Sequence, residues 1–171
     1  MITTLNSTAA ALLGMLHDRP MTGGELVAAA DDRFGAFWNV TRSQVYRELP
    51  VLASSGLVKL GKAGARAAQP YSITPAGRKA FAAWLAEPAG PDHSRNPLLL
   101  RLGFGAQHSR SQLRRLVADA RSEHEAALAT HRDRLIELRR DGADDYLVAT
   151  TEFGVAYEKA LLKWLAALPH A

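Results

Sequence analysis

The stretch Thr41-Arg-Ser-Gln-Val-Tyr-Arg-Glu-Leu-Pro-Val-Leu52 decides how this chain is read. Its threonine precedes a glutamine by three residues, the spacing of a capping box: the threonine oxygen accepts a backbone N–H and the glutamine reaches back to the threonine amide. A helix therefore starts at Arg42 and is expected to run to about Ser55, with Gly56 ending it. Val45, Leu49 and Leu52 share one side of that helix. Thr41, Arg42, Ser43, Gln44, Tyr46 and Arg47 crowd its start with groups able to bond phosphates or base edges, although Tyr46 suits packing inside the domain equally well. Pro50 removes one helical hydrogen bond, so a bend or a tightened final turn is expected there.

Upstream, Ala10, Leu12, Leu13 and Leu16 suit a helix from Ser7 to His17, broken by Asp18-Arg19-Pro20. Thr22-Gly-Gly-Glu25 is another capping box, opening a helix to about Phe34 that Gly35 stops. The aromatic segment Ala36-Phe-Trp-Asn-Val40 joins it to the Arg42 helix. Downstream, Leu57-Val-Lys-Leu60 and Tyr71-Ser-Ile73 read as two short strands around a loop of Gly, Ala, Lys and Arg. Thr74-Pro75 then places a good cap before a proline at the first helical position, and a fourth helix runs to about Glu87. Three helices, a hairpin and a helix match a winged helix-turn-helix, whose third helix enters the major groove of duplex DNA. Lys59, Lys62 and Arg66, on or beside the hairpin tip, offer charge to phosphates, and no acidic residue lies between Lys59 and Ala76.

Proline, glycine and small polar residues make 89–97 the expected linker between a DNA-binding domain at 1–88 and an α-helical domain at 98–171. The expected fold class is thus mainly α with a small β-hairpin wing. After a short apolar segment, Leu98 to Phe104, Ser109-Arg-Ser-Gln112 forms a third capping box at the head of a helix to about Arg140. Within it Leu113, Leu116, Val117, Ala120, His124, Ala127, Leu128, His131, Leu135 and Leu138 recur near a 3.5-residue period, as in a coiled-coil seam. A helix of about 30 residues spans about 45 Å, more than its small domain needs. Part of the seam is therefore expected to lack a partner within the chain and to pair with a second copy, which makes a homodimer the structural expectation. A last helix follows from Tyr146 to Leu168.

The 171 residues are 47% hydrophobic and 22% charged, the composition of a folded protein. A formal charge of +4 permits nucleic-acid binding without requiring it. The excess lies early, with 9 Lys and Arg against 6 Asp and Glu up to Glu87 and 12 against 11 after it. Absence of cysteine removes disulfides, thiolate metal sites and thiol nucleophiles and fits a reducing compartment. The start lacks the basic region of a signal peptide, and no run of about 18 apolar residues occurs, so no membrane span and a cytoplasmic location are expected.

As a set, Ala11-Leu-Leu-Gly-Met-Leu16, Met21-Thr-Gly-Gly-Glu-Leu26, Phe37-Trp-Asn-Val-Thr41, Val45-Tyr-Arg-Glu-Leu-Pro-Val-Leu52, Gly56-Leu-Val58 and Tyr71-Ser-Ile-Thr-Pro-Ala-Gly77 resemble the PadR family of bacterial transcription regulators. Trp84-Leu85 and Leu98-Leu-Leu-Arg-Leu-Gly-Phe104 are similar to its subgroup with a longer, multi-helix C-terminal part. The resemblance implies dimers whose C-terminal helices clasp each other, most often repression, and in several members release of DNA on binding phenolic or other aromatic compounds. The chain departs from the pattern at Gly24, where the family usually has a tyrosine, so whatever that side chain packs against is expected to be filled otherwise.

Trp38, Trp84 and Trp164 could line a pocket for an aromatic effector, though tryptophan at helical spacing is more often core. His124 and His131 are seven residues apart, about 10.5 Å along a helix, too far to share a metal within one chain. Histidines half-buried at a helix interface are the plainer account. The basic run Arg110, Arg114, Arg115 and Arg121 reads as a solvated helix face. Enzyme signatures are missing: there is no dinucleotide or phosphate-binding glycine loop, no nucleophile elbow and no metalloprotease helix. No cofactor or metal is expected. The partners expected are duplex DNA with an inverted-repeat operator, a second copy and a small aromatic effector; a winged helix that binds protein instead of DNA is the alternative.

Overall fold

The computed structural model describes residues 5–35, 37–62, 69–90 and 96–169, in two compact units that divide between Gly90 and Pro91. In the first unit, α1 (Ser7–Met15) is capped by Asn6, whose Oδ1 accepts the Ala9 amide at 2.8 Å. Helix α2 (Gly23–Phe34) and helix α3 (Arg42–Ser54) each open with the reciprocal capping box read from the sequence. Pro50 leaves α3 continuous. Its ring is exposed, and the carbonyl it cannot serve belongs to Tyr46, on the same exposed side, where water can take the bond. Gly56, at φ +71°, turns the chain out of α3.

Strands β1 (Val58–Leu60) and β2 (Tyr71–Ile73) pair antiparallel, with Val58 opposite Ile73 and Leu60 opposite Tyr71. Tyr71 also exchanges both backbone hydrogen bonds with Met21, so one residue ahead of α2 extends the hairpin by a third, single-residue strand. The hairpin tip carrying Arg66 and the expected linker's 91–95 lie outside the described residues, as does Ala36. Helix α4 (Pro75–Leu85) is seated by Thr74, whose hydroxyl donates to Gly56 O at 2.7 Å and accepts from the Gly77 amide at 3.0 Å. Gly77 must be glycine here: a Cβ would come within 2.1 Å of the Leu57 carbonyl oxygen. The core beneath α3 joins Leu12, Leu13 and Met15 of α1, Leu26 of α2, and Val45 and Leu49 of α3, all almost fully buried.

The second unit contains α5 (Pro97–Gly103), a short 3-10 turn at Gly105–Gln107, α6 (Arg110–Arg140) and α7 (Asp145–Ala166). Gly142, at φ +67°, reverses the chain so that α7 runs back along α6. Val117, Ala120 and Leu165 form its small core, with Leu98, Leu102 and Trp164 packed against it. All the seam residues of α6 are buried or half-buried within the single chain. Within the chain α7, itself 22 residues long, packs along α6 and faces much of this seam, burying Val117, Ala120, Leu128 and Leu138 and leaving the other seam residues half-buried. The large exposed apolar side chains lie elsewhere, at Leu99 and Leu100 of α5, Phe104, Ile136, and Tyr146, Phe153 and Tyr157 of α7.

Candidate nucleic-acid interface

Helix α3 buries Val45, Glu48, Leu49 and Leu52 and exposes Arg42, Ser43, Tyr46, Arg47, Pro50 and Val51 on the opposite side. At its start Thr41 N donates to Gln44 Oε1 at 2.8 Å and Gln44 N to Thr41 Oγ1 at 3.3 Å. Capping therefore occupies the Gln44 oxygen and leaves its amide NH2 outside the cap. The hydroxyls of Thr41 and Ser43 lie 3.0 Å apart.

Tyr46 packs on one side and is open on the other. Its ring lies across Gly23 at the head of α2, where a Cβ would stand 3.0 Å from the ring, yet 49% of the residue is exposed. The Arg42 guanidinium sits 5.4 Å from the same ring's centroid, a cation–π contact that fixes one of the two leading arginines. Arg47 is tethered to Glu48, Nη2 to Oε1 at 3.4 Å, with two-thirds of its side chain still in solvent. Glu48 itself is buried, and its other oxygen accepts from Asn6 Nδ2 at 3.1 Å. Asn6 thus caps α1 and holds α3 to it. Sequence reading missed this link; its one signal is an acid on the buried side of an otherwise basic helix.

Lys59 and Lys62 are exposed on the wing. Arg78 and Lys79, which sequence reasoning did not single out, are exposed on the first turns of α4. Between Glu48 and Glu87 the chain contains no acid at all, so these cations meet no carboxylate from that segment. Val51 and Leu60, each about half exposed, add apolar surface to α3 and the wing. At Gly24 nothing lies within 4 Å of where a Cβ would stand. The expected gap there is open solvent and needs no filling.

A cavity of about 610 Å³ opens in the same unit between α1, the end of α2 and α4. Its walls include Phe34, Phe37, Trp38, Phe81 and Trp84, with the Phe81 and Trp84 rings stacked at 6.2 Å. Arg33 and Asp18, ion-paired at 3.3 Å, stand beside it with His17, whose Nδ1 meets Leu13 O at 2.9 Å. Trp38 and Trp84 are brought together there; Trp164 is not among the walls, and packs in the core of the second unit. In that unit His124 Nδ1 lies 2.6 Å from Glu158 Oε2, a pair set between α6 and α7.

Residues 12–83 match the model of the transcriptional regulator PadR-like family, and residues 94–168 that of the virulence activator alpha C-terminal region. A probable transcriptional regulator of Mycobacterium tuberculosis is 27% identical over 91% of this chain and 92% of its own. A PadR-like transcriptional regulator from Bacillus cereus superposes with a TM-score of 0.83 at 22% identity, covering 94% of both chains. Bacillus subtilis PadR in complex with operator DNA gives 0.77 at 22% identity over 95% of this chain and 96% of that one. The same protein in complex with p-coumaric acid gives 0.66 at 21% identity over 95% of both.

Proposed function

We propose that this chain, whose residues 12–83 match the PadR-like transcriptional regulator family, is a homodimeric repressor of that family that binds an inverted-repeat operator through α3 and the wing. The observation that carries this reading is the exposed side of α3, where Arg42, Ser43, Tyr46 and Arg47 stand together on a helix rigidly seated by its cap and by Glu48. Arg42 and Arg47 read base edges or grip phosphates in the major groove, while Lys59, Lys62 and Arg66 track the backbone beside it. Two copies related by a two-fold axis present two such helices, so the half-sites are spaced by whole turns of duplex. Among the described residues no helix is long and apolar enough to cross a membrane.

The dimer surface we assign comprises two exposed apolar patches at opposite ends of the α6–α7 pair, Leu99, Leu100 and Phe104 at one and Ile136 and Tyr146 at the other, which the chain alone leaves in water. The effector site is the aromatic cavity of the first unit, whose size suits a small planar molecule. Its contact with Phe37 and Trp38, in the turn that delivers Thr41, supplies a route from ligand to recognition helix. Ligand entry would be read as a change in Trp38 and Trp84 fluorescence.

A mobility-shift titration against the DNA upstream of the protein's own gene tests the central reading. Arg42→Ala or Arg47→Ala is expected to weaken binding by about 1–3 kcal/mol. Arg139→Ala, which removes a guanidinium paired with Glu152 in the other unit, is expected to leave it unchanged. Salt-insensitive binding, or equal effects of the three substitutions, counts against DNA and in favour of a protein ligand.

A further inference from the structure

Helix α6 begins against the rules of its own electrostatics. The N-terminal end of a helix carries partial positive charge and favours acids in its first turn. Helix α6 has none there, and places Arg110, Arg114 and Arg115 in its first six residues. Arg110 and Arg114 are also one turn apart, where like charges repel. Of the other arginines of this helix, Arg121 pairs with Glu125, Arg134 with Glu137, Arg139 with Glu152 and Arg140 with Asp141. Arg132 is exposed and unpaired among the described residues as well, but lies far from the helix start. The three at the start are exposed and have no carboxylate partner among the described residues. Arg101 of α5 is exposed as well, and from Asn96 to Ala118 the chain holds no acid.

Charge kept where helix physics penalises it, unpaired and in solvent, fits a surface whose partner is an anion. All four side chains are arginines, whose planar fork matches phosphate oxygens in pairs. We propose that the start of α6, through Arg110, Arg114 and Arg115, is a second anion-binding surface that holds phosphates of the duplex carrying the operator. This rests on the DNA-binding reading above. Such contacts add affinity without reading sequence, since phosphates are common to every site.

The test uses the full chain and two duplexes of equal length, one from upstream of its own gene and one scrambled, with affinity measured by anisotropy from about 50 to 200 mM salt. The variant Arg110→Gln/Arg114→Gln/Arg115→Gln is expected to weaken both duplexes by the same factor. Its plot of log affinity against log salt should be shallower by about 0.9 for each phosphate the variant no longer neutralises. Arg132→Gln, further along the same helix, should leave both quantities as in the parent. The triple variant should melt no lower than the parent, because it relieves repulsion; a lower melting temperature would mark the arginines as structural and overturn the proposal. So would an unchanged salt slope, and if promoter regulation were nevertheless lost, the patch would belong to an acidic protein. Failure of the parent to bind either duplex would instead remove the DNA reading itself.

Discussion

Glu25 shows how one side chain can carry several duties in the DNA-binding unit. Its carboxylate accepts the Thr22 amide at 2.8 Å, closing the cap of α2, and pairs with Arg19 at 2.9 Å across the turn that precedes it. These bonds favour the ionised form, first the Thr22 backbone amide and then the Arg19 guanidinium, and hold its pKa at about 2. The folded value lies below the unfolded one, so the group stabilises the fold fully above about pH 5 and loses that contribution as pH falls toward 2. The side chain is solvent-exposed, which keeps the effect modest. Glu25→Gln retains a group able to cap but cannot titrate. Thermal unfolding followed from pH 6 down to about 2 should show the parent losing more stability than the variant across that window, and parallel curves would refute the assignment.

At the scale of elements, the capping boxes at Thr41, Thr22 and Ser109 are legible in the sequence because cap chemistry acts over three residues of one chain. So are the hairpin and the recognition helix. The Met21–Tyr71 pairing is not, because a single-residue strand has no alternation to read. Nor is Asn6–Glu48, a bond across 42 residues with no local pattern. The α6 seam is legible as apolar and periodic, but periodicity names a buried face without naming its partner, and α7 of the same chain packs against it. Trp164 misleads for the same reason: an aromatic at helical spacing reads alike whether it walls a cavity or fills a core. The α6–α7 pair includes a buried polar contact at mid-length, besides the exposed Arg139–Glu152 ion pair. His124 reaches Glu158, which is 5% exposed and has that imidazole as its partner. His124→Ala would leave the carboxylate buried without a bond, and is expected to destabilise the second unit by about 1–3 kcal/mol. Chemical denaturation measures this, with Glu158→Gln/His124→Ala as the control in which part of the loss should be recovered.

For the whole molecule, affinity for an operator with two half-sites depends on having two recognition helices joined. Once one half of a dimer is bound, the other meets its half-site at an effective concentration that multiplies affinity by about 10²–10⁴ over a single unit. The proposed joining surface has two apolar patches exposed in the single chain, Leu100 at 66% and Phe104 at 62% at one end of the α6–α7 pair and Ile136 at 65% at the other. None of these belongs to the buried clusters that hold either unit together. Leu100→Glu/Ile136→Glu should therefore leave the melting of an isolated chain nearly intact while placing two like-charged groups into an apolar contact between copies. Sedimentation equilibrium is expected to show the parent as a dimer and the variant as a monomer. Operator binding should fall by at least about 100-fold, the lower bound of that multiplication, with binding to one half-site unchanged. A variant that stays dimeric would move the interface off this surface. A monomer that binds the full operator as tightly as the parent would mean that recognition needs only one winged helix.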